Sequence, residues 1–408
     1  MRFLLLNQFY PPDNAPTGWM LHDLAVALVG RGHEVSVVCS RVGYAGGGDL
    51  RTAAPTEGVA VVRVGGAPFP RRWVAGRVAA YLTYLLAAAW ASLRGPRPDL
   101  IVTMTTPPFL GIVGALSARL RGSRHAQWTM DVYPDALRAH WPALGRPLVW
   151  WALTQLGRFQ FWGAATVVSP GPCVEERLRR YVPSLVPSSS IPLWGTIAMG
   201  EVAPDEVRRE RERRGWRPED LVLMYSGNMG LGHTFTEFLA AARRIGAPDT
   251  AWAFVGEGPR RLEVETFASE NPGPRIELRP FAEASRLAQS LAAADVHLVS
   301  LAPGWDGVMV PSKLQSVFSI GRPVIFVGSV ATALGSWIRE AGAGWVVPPN
   351  DVDALVRAIE EARDPAERAR RGAAALSYAR RHFDRDRNRA AIADLLEQCV
   401  RPSRARGV

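Results

Sequence analysis

Lysine is almost absent from this chain of 408 residues: of its 48 basic side chains, 47 are arginine and one, Lys313, is lysine. Arginine is a broad planar fork and lysine a compact point charge on a flexible stem. A coding bias toward arginine is the plain account of the imbalance, and a lone lysine set against it is worth attention because a tight phosphate site can require the compact cation. Cysteine is scarce too. Cys39, Cys173 and Cys399 are far apart and form no CxxC pair, which excludes a disulfide framework and a cysteine zinc site and suits a reducing compartment. No apolar run is long enough for a confident membrane span, and residues 78–93, although uncharged, fall short. The N-terminal MRFLLLNQFYPPDN lacks a signal-peptide h-region and cleavage site and reads as a first strand.

What is present is an ordinary globular composition, 48% hydrophobic and 21% charged, in a chain too long for one core. The charge is uneven. Residues 1–196 hold 19 arginines and 10 acids, for +9, whereas residues 197–408 hold 29 basic and 28 acidic groups, for +1. A basic half attracts nucleic acid, anionic membrane or a phosphorylated substrate. No nucleic-acid-binding motif is visible, so the last two are preferred.

Apolar β-rich runs alternate with helical patterns. Strands are predicted at Arg2–Asn7, Glu34–Ser40, Val59–Val64, Leu100–Met104, Ala126–Met130 and Ala165–Ser169, with helices at 20–30, 76–93, 108–121, 142–160 and 173–181. Residues 183–200, rich in Pro, Ser and Gly, read as a linker. The alternation then restarts, with strands at Val222–Ser226, Ala251–Val255, Ile276–Arg279, Val296–Ser300, Val324–Val327 and Trp345–Val347, and charged helices over about 366–399. This predicts an α/β protein of two Rossmann-like doubly wound domains facing across a cleft, 1–190 and 201–378, followed by a helical segment 379–408.

Four segments carry candidate chemistry. In DGVMVPSKLQSVFSIGRPVIFVG, Pro311 and Ser312 fall where a loop becomes a helix and Lys313 lies in its first turn. Ser312 suits the N-cap and Gly321 the C′ position. A cation in a first turn conflicts with the helix dipole unless an anion binds nearby, although a surface lysine is the plainer alternative. In YSGNMGLGHTFTEFL a strand runs into Gly227, Gly230 and Gly232 before a helix near Thr234, as either a phosphate loop or a tight turn. The long loop within Asn7–Met20 ends at Gly18, as a binding loop or a Pro-rich turn. In WTMDVYPDAL, Asp131 and Asp135 follow an apolar strand, where a carboxylate can take an acceptor proton or cap a helix.

These segments, with RGHEVSVVCS, FVGEGP, AADVHLVSL and GRPVIFVG, resemble a family 4 glycosyltransferase of the GT-B fold, of the exopolysaccharide or O-antigen type, over nearly the whole chain. The resemblance implies a retaining, metal-independent transfer from a nucleotide diphosphate sugar. That donor is a substrate, and no cofactor or metal is implied. Lys313 would hold the diphosphate, Gly18 and Gly227 to Gly230 would line it, and Phe281 and the loop after Gly256 would approach the base. Asn228 and His233 occupy the places of a basic pair common in the family. A pair of family glutamates falls at Ser316 and Val308, so that Asp306 or Gln315 is left to substitute. Asp131 is the candidate base for a lipid-linked (polyprenyl-diphosphate) or saccharide acceptor.

The basic and aromatic stretches 69–97 and 149–162 suit contact with an anionic membrane, which would make the protein cytoplasmic and peripheral on the inner face, or else are core helices. A sugar-nucleotide 2-epimerase and a non-enzymatic Arg-rich scaffold are the rival readings.

Overall fold

The computed structural model describes residues 1–13, 15–43, 57–65 and 74–401, with the side chains of Val74 and Ala75 excepted. Asn14 of the first loop, and Trp73 with the rest of 69–73, lie outside the described residues. The chain divides into two compact units, Met1–Pro192 with Asp386–Val408, and Leu193–Arg385.

The first unit runs β1 (Arg2–Leu6), α1 (Pro16–Gly30), β2 (Glu34–Ser40), β3 (Ala60–Val64), α2 (Val74–Ser92), β4 (Leu100–Thr103), α3 (Leu110–Arg121), β5 (Arg124–Trp128), α4 (Asp135–His140), α5 (Pro147–Phe159), β6 (Ala164–Ser169), α6 (Pro172–Leu178) and β7 (Ser188–Ser190). All seven strands are parallel, in the order β3-β2-β1-β4-β5-β6-β7. The near-continuous apolar runs of β1, β4 and β6 follow from burial on both faces. α3 approaches the sheet through glycine: a Cβ at Gly114 would lie 2.4 Å from Thr103 Cγ2 and 2.7 Å from His125 Nε2.

The second unit runs α7 (Pro204–Arg214), β8 (Leu221–Ser226), α8 (Thr236–Ile245), β9 (Thr250–Val255), α9 (Arg261–Glu270), β10 (Arg275–Arg279), α10 (Leu287–Ala292), β11 (Val296–Ser300), α11 (Lys313–Ser319), β12 (Val324–Val327), α12 (Ala333–Ala341), β13 (Gly344–Val347), α13 (Val352–Glu361) and α14 (Pro365–His382). Its parallel sheet has the order β10-β9-β8-β11-β12-β13. One buried cluster, which includes Tyr225, Phe235, Phe238, Trp252, Phe254 and Ile325, fills one side of it. α15 (Arg385–Val400) belongs with the first unit, where Arg31 donates to Asp394 (2.6 Å) and Glu397 (3.0 Å).

Three expectations need correction. The segment read as linker, 183–200, contains β7, whose three serines pair with β6 as an edge strand. α1 starts at Pro16 rather than at Met20, so Gly18 lies inside its first turn. The helical C-terminal segment does not begin at 379, which is inside α14; the break between the last two helices falls at Phe383–Asp384.

Candidate active site

In each sheet the chain reverses its direction of winding once, at β1/β4 in the first and β8/β11 in the second. Adjacent loops there leave toward opposite faces and open a crevice at the carboxyl ends of the strands. In the second unit the crevice is flanked by the loop after β8 and by the loop that leads from β11 to α11.

Lys313 is the first residue of α11. Its half-buried ammonium donates to the Asn228 carbonyl at 3.2 Å, to His233 Nε2 at 2.9 Å and to the Tyr225 hydroxyl, and lies 4.1 Å from the centre of the Tyr225 ring. Tyr225 is itself fully buried, packed edge-on to Phe235 and His233, and its hydroxyl donates to the Asn228 carbonyl at 2.8 Å. The lysine is thus held over a fixed aromatic face by neutral acceptors. Among the described residues no carboxylate pairs with it, and burial lowers its pKa well below the ordinary lysine value. Such a site is short of negative charge.

His233 has a defined role in this arrangement. Its Nδ1 lies 2.7 Å from the Ser300 carbonyl, which can only accept, so the ring proton sits on Nδ1 and Nε2 is left as the acceptor for Lys313. Burial, and then the nearby Lys313 charge, hold its pKa well below the usual histidine range. The ring is therefore neutral and orients the lysine.

Glycine shapes the surrounding loops. Gly227 has φ +128°, and a Cβ there would come within 2.6 Å of Lys313 Cε. Gly256 has φ +140°, and its Cβ would sit 2.1 Å from the Gly227 carbonyl oxygen and 3.3 Å from the Phe281 ring. The loops after β8 and β9 are therefore in backbone contact, with Phe281 exposed beside them. Gly230 stands next to the Asn228 amide, and Asn228 itself is exposed.

The structure thus brings Gly227, Asn228, Gly230, His233, Lys313, Gly256 and Phe281 together at one strand-end crevice. Pro311, buried, and Ser312 lead into α11, and Asp306 lies in the loop before them. Ser312 occupies the N-cap position but makes no side-chain capping bond, whereas Gly321 (φ +69°) takes the C′ position as expected. Ser316 is turned elsewhere: its hydroxyl accepts from the Thr196 backbone N–H at 3.1 Å. Gln315 is fully buried, and among the described residues neither atom of its amide has a hydrogen-bond partner. Tyr225, Gly258 and Arg260 were not anticipated. The GEG spacing hinted at Gly258, whose Cβ would lie 2.6 Å from the Met229 carbonyl oxygen. Nothing in an arginine-rich sequence singles out Arg260, whose guanidinium donates to the His233 carbonyl.

In the first unit, Gly18 packs against the backbone of Phe9, where a Cβ would lie 3.1 Å from the carbonyl carbon. Asp131, just beyond β5, is tied to the end of β4 through its N–H, which donates to Thr105 Oγ1 at 3.2 Å. Burial pushes its carboxyl up to about 6. Asp135 differs: it is the first residue of α4 and accepts from Arg177 (2.8 Å) and the Tyr181 hydroxyl (2.5 Å), a structural commitment.

Residues 17–194 match the glycosyl transferase 4-like domain and residues 220–364 match the glycosyl transferases group 1 domain. The chain belongs to these glycosyltransferases. It is 28% identical over 278 residues to WbjE of Pseudomonas aeruginosa, named as a glycosyltransferase, covering 66% of this chain and 67% of that protein. It is 27% identical over 173 residues to WcaI of Escherichia coli, named for colanic acid biosynthesis, covering 42% of each chain. Among solved structures, this glycosyltransferase superposes on sucrose-phosphate synthase from Thermosynechococcus elongatus with a TM-score of 0.78, at 18% identity and 98% coverage of both chains. It superposes on Anabaena HepE in complex with UDP-glucose with a TM-score of 0.73, at 15% identity, covering 98% of this chain and 100% of that one. The fold is GT-B.

Proposed function

We propose that this glycosyltransferase moves a sugar, with retention and without a metal ion, from a nucleotide diphosphate sugar to a lipid-linked or saccharide acceptor in surface polysaccharide assembly. The observation that carries this reading is Lys313, an ammonium with no carboxylate partner among the described residues, held over Tyr225 beside two touching glycine loops. Charge grows on the departing diphosphate as the sugar–phosphate bond breaks. A fixed cation and loop N–H groups stabilise that charge more than they stabilise the bound donor. Phe281 offers an exposed ring for the base, and Asp306 in the loop before α11 is a candidate for sugar or ribose hydroxyls. The UDP-glucose bound by HepE and the colanic acid association of WcaI support the donor class and the pathway type.

The test is a binding and turnover screen of UDP-, GDP- and dTDP-sugars, with EDTA present and the product anomer assigned by NMR. Transfer with retained configuration in EDTA is expected. An inverted product, abolition by EDTA, or a new nucleotide sugar formed without acceptor would each overturn the matching part of the proposal.

Asp131 is proposed as the acceptor's base. A carboxyl that titrates at about 6 in the folded chain, against roughly 4 when exposed, binds its proton more tightly folded than unfolded. Its favourable contribution to stability is therefore present at low pH and is lost as pH rises through about 6. Asp131→Asn is expected to melt higher than wild type at about pH 8 and equally at about pH 4, while transfer slows and loses its inflection near 6. Equal melting at both pH values with an unchanged pH–rate profile would remove Asp131 from this role.

A further inference from the structure

We infer that, with Asp131 as the acceptor's base as proposed above, Phe109 and Tyr133 form a stacking platform for a pyranose ring, so that the acceptor group is a sugar already in place and not a bare lipid phosphate. β4 and β5 are parallel neighbours, and the loops that follow them leave at the same end of the first sheet. Phe109 closes the first loop, immediately before α3, and Tyr133 lies in the second, just beyond Asp131. Thr105 ties the two loops together: its hydroxyl accepts from the N–H groups of Met130 (3.1 Å) and Asp131 (3.2 Å). The Phe109 and Tyr133 rings lie 6.1 Å apart, tilted by 52°, and both are partly exposed. Burial, then the Asp131 carboxylate and Tyr81 of α2, hold the Tyr133 hydroxyl protonated.

The backbone at Phe109 points to a use for its ring. With φ +63° and ψ 18° it occupies the left-handed region, where a bulky side chain is an outlier and glycine the ordinary choice. It also stands at the N-cap of α3, a position that favours a short polar side chain, and makes no capping bond. Neither the turn nor the helix start asks for phenylalanine. Backbone strain of this kind gathers where a side chain meets a ligand.

Charge and shape select the occupant. Among the described residues, no cation shifts the Asp131 carboxyl or the Tyr133 hydroxyl. Arg177 pairs with Asp135 at 2.8 Å, and Arg138 lies over Trp150, 4.9 Å from the ring centre. A lipid phosphate would meet a carboxylate and no counter-charge, which disfavours it. A pyranose suits the site: its weakly positive C–H face lies on the negative face of an aromatic ring, and its hydroxyls reach a carboxylate and a tyrosine hydroxyl. In transfer, the acceptor hydroxyl oxygen bonds to the donor's anomeric carbon. The diphosphate departs with the electrons of the broken C–O bond, and the proton passes to Asp131. The reaction that supplies such an acceptor is an earlier transfer of a sugar to the carrier, so this enzyme extends a glycan and does not start one.

The test uses the full chain and the nucleotide sugar it turns over, with octyl gluco-, galacto-, manno- and rhamnopyranosides or farnesyl phosphate as acceptors. Transfer to at least one pyranoside, and none to farnesyl phosphate, is expected. Phe109→Leu keeps an apolar side chain but removes the ring face, and should raise the acceptor KM about tenfold with donor KM and kcat held. Phe109→Tyr should restore the acceptor KM. Tyr133→Leu, which leaves the strained position untouched, should behave like Phe109→Leu. A packing role alone would lower the melting temperature and leave the acceptor KM where it was. Transfer to farnesyl phosphate, transfer to neither class, or a wild-type acceptor KM in both leucine variants would overturn the inference. The base reading fails separately, on an unchanged kcat in Asp131→Asn, and donor binding is measured with no acceptor present.

Discussion

Lys313→Ala is expected to lower kcat by about 10²–10³-fold, the usual cost of deleting one preorganised electrostatic donor to a developing charge. Lys313→Arg is expected to recover little of that loss. The ammonium occupies a slot bounded by the Tyr225 ring, the Gly227 backbone and His233 Nε2, and it converges on acceptors at 3.2 and 2.9 Å. A planar fork with divergent donors cannot satisfy that set without displacing the loop. A second readout isolates the phosphate contact. Because burial holds the lysine pKa well down in the free protein, an arriving diphosphate must raise it, and donor binding should take up protons in alkaline buffer. Calorimetry in buffers of different ionisation enthalpy measures this uptake. Wild-type uptake that vanishes in Lys313→Ala is the expected result. Full activity in Lys313→Arg, or no uptake by wild type, would show that Lys313 does not contact the diphosphate.

Gly256→Ala should cost the second unit about 3 kcal/mol or more, because a left-handed backbone and a collision with backbone coincide there. Its Cβ would stand 2.1 Å from the Gly227 carbonyl oxygen, an atom that cannot swing aside. Gly227→Ala poses a different problem. Its nearest clash, at 2.6 Å, is with Lys313 Cε near the end of a flexible side chain, so the damage should fall on donor binding as well as on stability. Gly273→Ala, with nothing within 4 Å of its Cβ, is the neutral control. Urea unfolding should show a midpoint lowered by about 1–2 M for Gly256→Ala and unmoved for Gly273→Ala. Matching midpoints for all three would show that the contact between the two glycine loops is not tight.

The fold was legible because buried parallel strands read as apolar runs, and Leu221–Ser226 and Val324–Val327 could hardly be anything else. β7 was hidden because an edge strand of three serines has no such run and lies among prolines. Lys313 was legible because the surrounding composition made it rare. Its partners were not, because they depend on three-dimensional convergence. Nothing in the sequence says that the Tyr225 ring lies under the ammonium, or that the Ser300 carbonyl fixes the His233 tautomer. Asp131 and Asp135 were equivalent as letters, and only Arg177 and Tyr181, 42 and 46 residues downstream of Asp135, separate them.

The route of the chain through the first unit has a consequence for biosynthesis. Arg31 and His33 find their carboxylate partners only on α15, at Asp394 and Glu397, after the whole of Leu193–Arg385 has been made. On the ribosome the first unit has all seven of its strands in hand before the second begins, yet it waits for α15, with the partner positions of Arg31 unfilled, until the second unit has been made. Nascent chains arrested before Asp386 should therefore carry a first unit that is cut more readily around Arg31 than it is in the full chain.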